Sequence, residues 1–163
     1  ILVTADKAIA EALPAEIEQQ ASRLPRHEWV GKSLAHSAVV VLEEGQEQLD
    51  FVNAYAPEHL IVHRADAESW AAGVVNAGSV FLGYYTPESA GDYASGTNHT
   101  LPTSGYARAY SGVNLDSFTR KITFQQISPE GLKALGPIIE TMAEAEGLEA
   151  HKEAVAIRLQ AID

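Results

Sequence analysis

Ala38-Val-Val-Val-Leu42, His59-Leu-Ile-Val-His63 and Gly78-Ser-Val-Phe-Leu-Gly83 are three short apolar runs set about twenty residues apart. Each is too short for a helix and is bounded by polar or turn-forming residues, the pattern of a strand buried on both faces. Between them, 45–55 and 66–75 carry helical patterns. The first places Leu49, Val52 and Asn53 inward and ends before Pro57; the second opens on Asp66 and the Glu68-Ser69 pair. Strands at 38–42, 59–63 and 79–82 alternating with these helices are the βαβαβ signature of a parallel sheet. The fold class is therefore α/β, part of a Rossmann-like parallel sheet that is an incomplete doubly wound domain. In such sheets functional groups gather at the carboxyl ends of strands.

Toward the amino terminus, Ile1-Leu-Val3 reads as the end of a buried strand, and Asp6 as the cap of a helix bearing Ile9, Leu13, Ile17 and Leu24. Pro14 should break that helix early and Pro25 should end it. A second short helix fits 26–34. With no initiating Met before its apolar triplet, the chain reads as one cut from something longer. Toward the carboxyl terminus, Arg120-Lys-Ile-Thr-Phe-Gln-Gln126 alternates as a further strand would. Ser128-Pro-Glu-Gly131 opens a helix with Leu132, Leu135, Ile138, Ile139 and Met142 at helical intervals, stopping at Gly147. A last helix over 149–162 carries Val155, Leu159 and Ile162. The expected division is 1–127 for the α/β part and 128–163 for a helical dimerisation tail.

Composition bounds the function. The 163 residues suffice for one domain with a core, 46% of them being apolar. Eleven basic against twenty-two acidic residues give a formal charge of −11, which opposes the counterion-release attraction of nucleic acid and of anionic lipid. Neither nucleic acid nor membrane is an expected partner. No apolar run approaches the ~20 residues of a membrane span, and the expected location is the cytoplasm. The absence of cysteine excludes disulfides, thiolate metal sites and cysteine nucleophiles. Gly-x-Ser-x-Gly, Gly-x-Gly-x-x-Gly and Walker patterns are absent as well.

The polar chemistry concentrates in a few places. Pro87-Glu-Ser-Ala-Gly-Asp-Tyr-Ala-Ser-Gly-Thr-Asn-His-Thr-Leu-Pro-Thr-Ser-Gly105 reads as a long loop presenting Asp92 and His99. Asp oxygen and His nitrogen suit hard or borderline divalent ions; Asx turns and ordinary loop hydrogen bonds are the structural alternative. Glu58-His59 pairs a carboxylate with an imidazole, a combination capable of general acid–base work, although adjacent strand residues point to opposite faces and the pair read alone is a surface carboxylate beside a half-buried histidine. His151 near the start of the last helix, with Glu146 closing the one before, reads by itself as an exposed helical histidine. His27, His36 and His63 have no such company and read as structural.

Taken together, Asn53-Ala-Tyr-Ala-Pro-Glu-His-Leu60, 78–83, the 87–105 stretch and Gly147-Leu-Glu-Ala-His-Lys152 closely resemble the carboxyl-terminal portion of histidinol dehydrogenase across essentially the whole chain. The resemblance implies zinc- and NAD-dependent oxidation of L-histidinol to L-histidine through an aldehyde, by homodimers with one zinc per site. It implies His59 as the base for the substrate hydroxyl and Glu58 as the group that activates water for the second oxidation. It also implies Asp92 as a zinc ligand, His99 at the substrate, Glu146 beside the substrate amine, and His151 as a zinc ligand reaching across to the other subunit on an exchanged tail. The substrate-binding set is then His59, Asp92, His99, Glu146 and His151.

Members of that family carry a Gln-x-x-His pair supplying two more zinc ligands and a nucleotide-binding domain, both upstream of the region resembled. The stretch by itself is accordingly expected to be inactive, with neither zinc nor NAD bound. Two other readings are a non-enzymatic dimerisation or small-molecule binding module on the same scaffold, and a metal hydrolase, for which no set of three ligands is obvious.

Overall fold

A computed structural model describes residues 1–162 of the chain. It divides into two units, Ile1–Thr119 and a second from Arg120 onward. In the first, β1 (Leu2–Thr4) pairs in parallel with β2 (Val39–Val41), Leu2 lying opposite Val39. Between them run α1 (Lys7–Ala21) and α2 (His27–Leu34). Asp6 caps α1 as its position suggests, one carboxylate oxygen accepting from the N–H groups of Ala8 and Ile9 at 2.8 and 3.3 Å. Pro14 does not break α1, which continues to Ala21. Proline's fixed φ is compatible with a helix, so the helix persists at the cost of one lost backbone donor and of crowding between the ring and the carbonyl four residues before it.

The other half of this unit is α3 (Gln46–Tyr55), β3 (His59–Val62), α4 (Ala67–Ala71), β4 (Ser79–Leu82) and α5 (Glu88–Tyr93), with two 3₁₀ turns at Tyr106–Arg108 and Leu115–Phe118. β3 and β4 are parallel with His59 opposite Ser79 and Val62 opposite Leu82. The strands are parallel as expected, but they form two two-stranded ladders, β1 with β2 and β3 with β4, in place of one sheet. Nor is the 38–42 run buried. Val39 and Val41 are 36% and 41% exposed, so the apolar composition of β2 marks a face without cover among the described residues. The buried apolar side chains of this half are Val52, Ala56, Val62, Ala67 and Phe81, on the elements around β3 and β4.

Asn53 explains why the helix expected over 66–75 ends at Ala71. From α3, its Oδ1 accepts from the N–H groups of Val75 and Asn76 at 2.8 and 3.3 Å, and its Nδ2 donates to the Gly73 carbonyl at 2.9 Å. Asn76 returns a bond to the Asn53 carbonyl at 2.9 Å. One amide side chain thus takes over backbone groups that a longer helix would have paired internally, and turns the chain toward β4. Asn53→Ala removes three of these bonds at once. It is expected to lower unfolding free energy by about 1–3 kcal/mol, read as a lower urea midpoint with unchanged slope; an unchanged midpoint would show the clamp to be dispensable.

At the far end of β3, Arg64 Nε lies 2.5 Å from Asp66 and its Nη2 2.9 Å from Glu44. Hydrogen bonding to Arg64 holds the Asp66 carboxyl below its usual range. Arg64 is half-buried and Asp66 exposed, and the pair ties the turn into α4, contributing little to stability where its carboxylate is open to solvent.

In the second unit, 120–126 forms no strand, and Ile122 and Phe124 lie open to solvent. Alternation yields a strand only where a neighbouring edge accepts its hydrogen bonds, and among the described residues of this unit none is offered. α6 (Pro129–Ala145) begins as its sequence requires, Ser128 Oγ accepting from Gly131 N–H at 3.1 Å with Pro129 in the first turn. It ends at Gly147, whose φ of 71° lets the Leu148 N–H reach the Ala143 carbonyl at 2.8 Å. α7 (Glu149–Ile162) folds back along α6. The two helices meet closely at Gly136, where an added Cβ would lie 2.7 Å from Leu159 Cδ1, and Lys152 bonds Glu144 at 2.9 Å. Among the described residues no helix is long and apolar enough to cross a membrane.

Candidate functional site

The approach to β3 is shaped by Ala56, which closes α3 in the left-handed conformation with φ 54° while its side chain is buried. That turn delivers Pro57 and Glu58 to β4: Gly78 N–H donates to the Pro57 carbonyl and Ser79 N–H to the Glu58 carbonyl, both at 2.9 Å. Gly78 is required here because a Cβ would sit 2.5 Å from the Glu58 carbonyl oxygen. The register so defined makes His59 the first residue of β3, with its ring 6.0 Å from that of Phe81, tilted by 29°.

After β4 the chain turns through Thr86, whose hydroxyl donates to the Leu82 carbonyl at 2.6 Å, and Pro87 leads into α5. The start of the 87–105 stretch is therefore helical rather than loop. α5 lies against Phe81 through Gly91, where a Cβ would be 2.7 Å from the ring; Thr97 Oγ1 then bonds the Gly91 carbonyl at 3.0 Å. Glu88 and Asp92 stand four residues apart on this helix and so share one face. That face meets His59: Nε2 is 3.7 Å from Glu88 Oε1, and one donor atom from each of His59, Glu88 and Asp92 lies within 4.8 Å of the others. All three are half-buried, and His59 Nε2 is shut off from solvent with no hydrogen-bond partner.

The site thus forms at the amino-terminal end of β3, not at the carboxyl ends of the strands, because α5 doubles back along the ladder. Of the residues singled out by sequence, the structure groups His59 and Asp92. Glu58 joins the ladder through its carbonyl, and its carboxylate is not among the clustered donors. His99 is exposed, beside an Asx turn in which Asn98 Oδ1 accepts from Thr100 N–H at 2.7 Å. Glu146 and His151 belong to the second unit, exposed at the end of α6 and the first turn of α7. Glu88 escaped sequence reasoning. Its signal was the four-residue spacing to Asp92 after a proline, legible only once the segment is taken as helix.

An imidazole and two carboxylates around one point can exchange protons or hold a divalent cation, and their donor types suit zinc. The class defined is an α/β domain whose polar centre is built from a strand start and a returning helix. The family model described as histidinol dehydrogenase matches residues 1–159. A histidinol dehydrogenase of Bacteroides fragilis is 56% identical over 162 residues, covering 99% of this chain and 38% of that protein. The chloroplastic histidinol dehydrogenase of Oryza sativa is also 56% identical, over 100% of this chain and 34% of its own length. The crystal structure of histidinol dehydrogenase from Elizabethkingia anophelis superposes with a TM-score of 0.89 at 50% identity, over 99% of this chain and 37% of that one. The chain belongs to the histidinol dehydrogenase family, and it spans little more than a third of the length of these relatives.

Proposed function

We propose that the protein containing this chain oxidises L-histidinol to L-histidine through the aldehyde, in two NAD-dependent steps, and that this chain supplies part of the active site. The observation that carries the reading is the meeting of His59 and Asp92, from segments more than thirty residues apart, at one half-buried point. Each takes a role that the family resemblance predicts. His59 accepts the hydroxyl proton of the substrate, and Glu58 activates the water that adds to the aldehyde before the second oxidation. Asp92 and His151 hold zinc, His151 being supplied by the partner subunit on an exchanged tail; His99 and Glu146 contact the substrate, Glu146 at its amine. Bound zinc would fix the imidazole and amine of histidinol and so orient the alcohol carbon. No residue of this chain is assigned to NAD.

The packing of β4 against α5 positions these groups. Phe81 and Gly91 set the distance between β4 and α5, and through it the separation of His59 from Glu88 and Asp92. The full-length protein is expected to form two NADH per histidinol consumed. Asp92→Asn is expected to lower bound zinc, measured by metal analysis after gel filtration, together with turnover. Absence of NADH formation by the full-length protein with histidinol would remove the proposal; full zinc retention in Asp92→Asn would remove the ligand assignment.

A further inference from the structure

We propose that Glu88 is the positioning residue of His59: its carboxylate accepts the hydrogen bond of Nε2–H, which selects the ring tautomer and leaves the Nδ1 lone pair for the substrate. The inference rests on the histidinol reading above and adds to it a residue and a tautomer.

Burial supplies the first argument. His59 Nε2 is excluded from solvent and has no hydrogen-bond partner, a condition that is costly for a buried polar atom and that a nearby acceptor relieves. Glu88 Oε1 is the carboxylate facing it, at 3.7 Å, and the Glu88 side chain is 38% exposed, which leaves it free to swing closer. Long contacts of this kind tighten when substrate fills a site. Orientation is the second argument. The Phe81 ring borders the imidazole, and Gly91 holds α5 against that same ring, so the helix carrying Glu88 is registered to the surface that carries His59. The third is division of labour along α5. Glu88 and Asp92 share a face one turn apart, so one carboxylate can serve the imidazole while the other serves the metal.

With Nε2 protonated and bonded to Glu88, the first oxidation balances simply. The O–H proton of histidinol passes to Nδ1, the C–O bond becomes C=O, and hydride leaves the carbinol carbon for the nicotinamide of NAD. Glu88 touches none of the reacting atoms and acts through the ring.

The test uses the full-length protein. In ¹⁵N-histidine-labelled, zinc-free protein, the His59 resonances, assigned by their disappearance in His59→Gln, are expected to show a protonated Nε2 and a bare Nδ1. Glu88→Ala is expected to abolish that preference, to lower kcat for histidinol by about 10–100-fold with KM within about twofold, and to leave zinc content unchanged. Glu88→Gln retains an oxygen acceptor and is expected to recover turnover to within about tenfold of the parent, which guards against a variant that merely misfolds. A protonated Nδ1 in the parent, unchanged kcat in Glu88→Ala, or loss of zinc alongside activity would each overturn the inference, the last by making Glu88 a ligand. If the parent does not oxidise histidinol at all, the functional reading fails, while the tautomer of His59 and its response to Glu88→Ala still decide this one.

Discussion

His59→Ala in the full-length protein is expected to lower kcat for histidinol by about 10²–10⁴-fold, the range over which a positioned general base contributes. The expectation follows from where His59 stands. It opens β3, its ring is partly exposed beside Phe81, and its Nε2 faces the carboxylate face of α5. Because the side chain is 29% exposed and meets the buried Phe81 with one ring face only, truncation should leave the protein folded. A thermal melt close to that of the parent, with KM little changed, is the expected companion result. His59→Gln should lose turnover to a similar extent, since an amide has hydrogen-bonding groups but cannot carry the proton. Turnover within tenfold of the parent in either variant would exclude His59 as the base.

Gly78→Ala is expected to be the most disruptive single methyl in the chain. The added Cβ would sit 2.5 Å from the Glu58 carbonyl oxygen and 3.3 Å from Leu101 Cβ. The first obstacle is backbone, and it accepts the Ser79 N–H, so it cannot move without breaking the bond that starts the β3–β4 ladder. Overpacking of this kind costs about 1–3 kcal/mol. A shift of the ladder also displaces His59, whose register partner is Ser79. Loss of turnover should therefore accompany the lowered urea midpoint, even though Gly78 contributes no chemistry. Gly78→Ala with parental midpoint and turnover would show that the two strands can separate without consequence. Gly91→Ala presses on the edge of a ring rather than on backbone, so its cost should be smaller.

The local elements were largely legible. Asp6, Ser128 and Gly147 announce helix ends by chemistry that acts over three or four residues, and the structure uses each as expected. The parallel α/β class also followed from apolar runs separated by helical segments. Elements that depend on distant neighbours were less legible. The 120–126 stretch alternates without forming a strand, the 66–75 helix is cut short by Asn53 from another helix, and the apolar β2 is only half covered. In the site, His59 and Asp92 could be singled out as residue types capable of the chemistry. Glu88 could not, because reading 87–105 as loop hid the helical spacing that sets it one turn from Asp92.

By itself the sequence determined the residue chemistry available: no thiols, an acidic surface, an imidazole after Pro57-Glu58, carboxylates in a glycine-rich stretch, and motifs that resemble one family. It determined local structure wherever a cap, a proline or a glycine acts on its own few neighbours. The tertiary structure alone decided which groups meet. His59 and Asp92 are thirty-three positions apart, and only the return of α5 along β4, permitted by the missing Cβ at Gly91, brings both to Glu88. Capping and turn preferences are short-range and can be read along the chain. Convergence of side chains depends on strand register and on the closeness of helix packing, and these are settled by backbone contacts between segments that the linear order keeps apart.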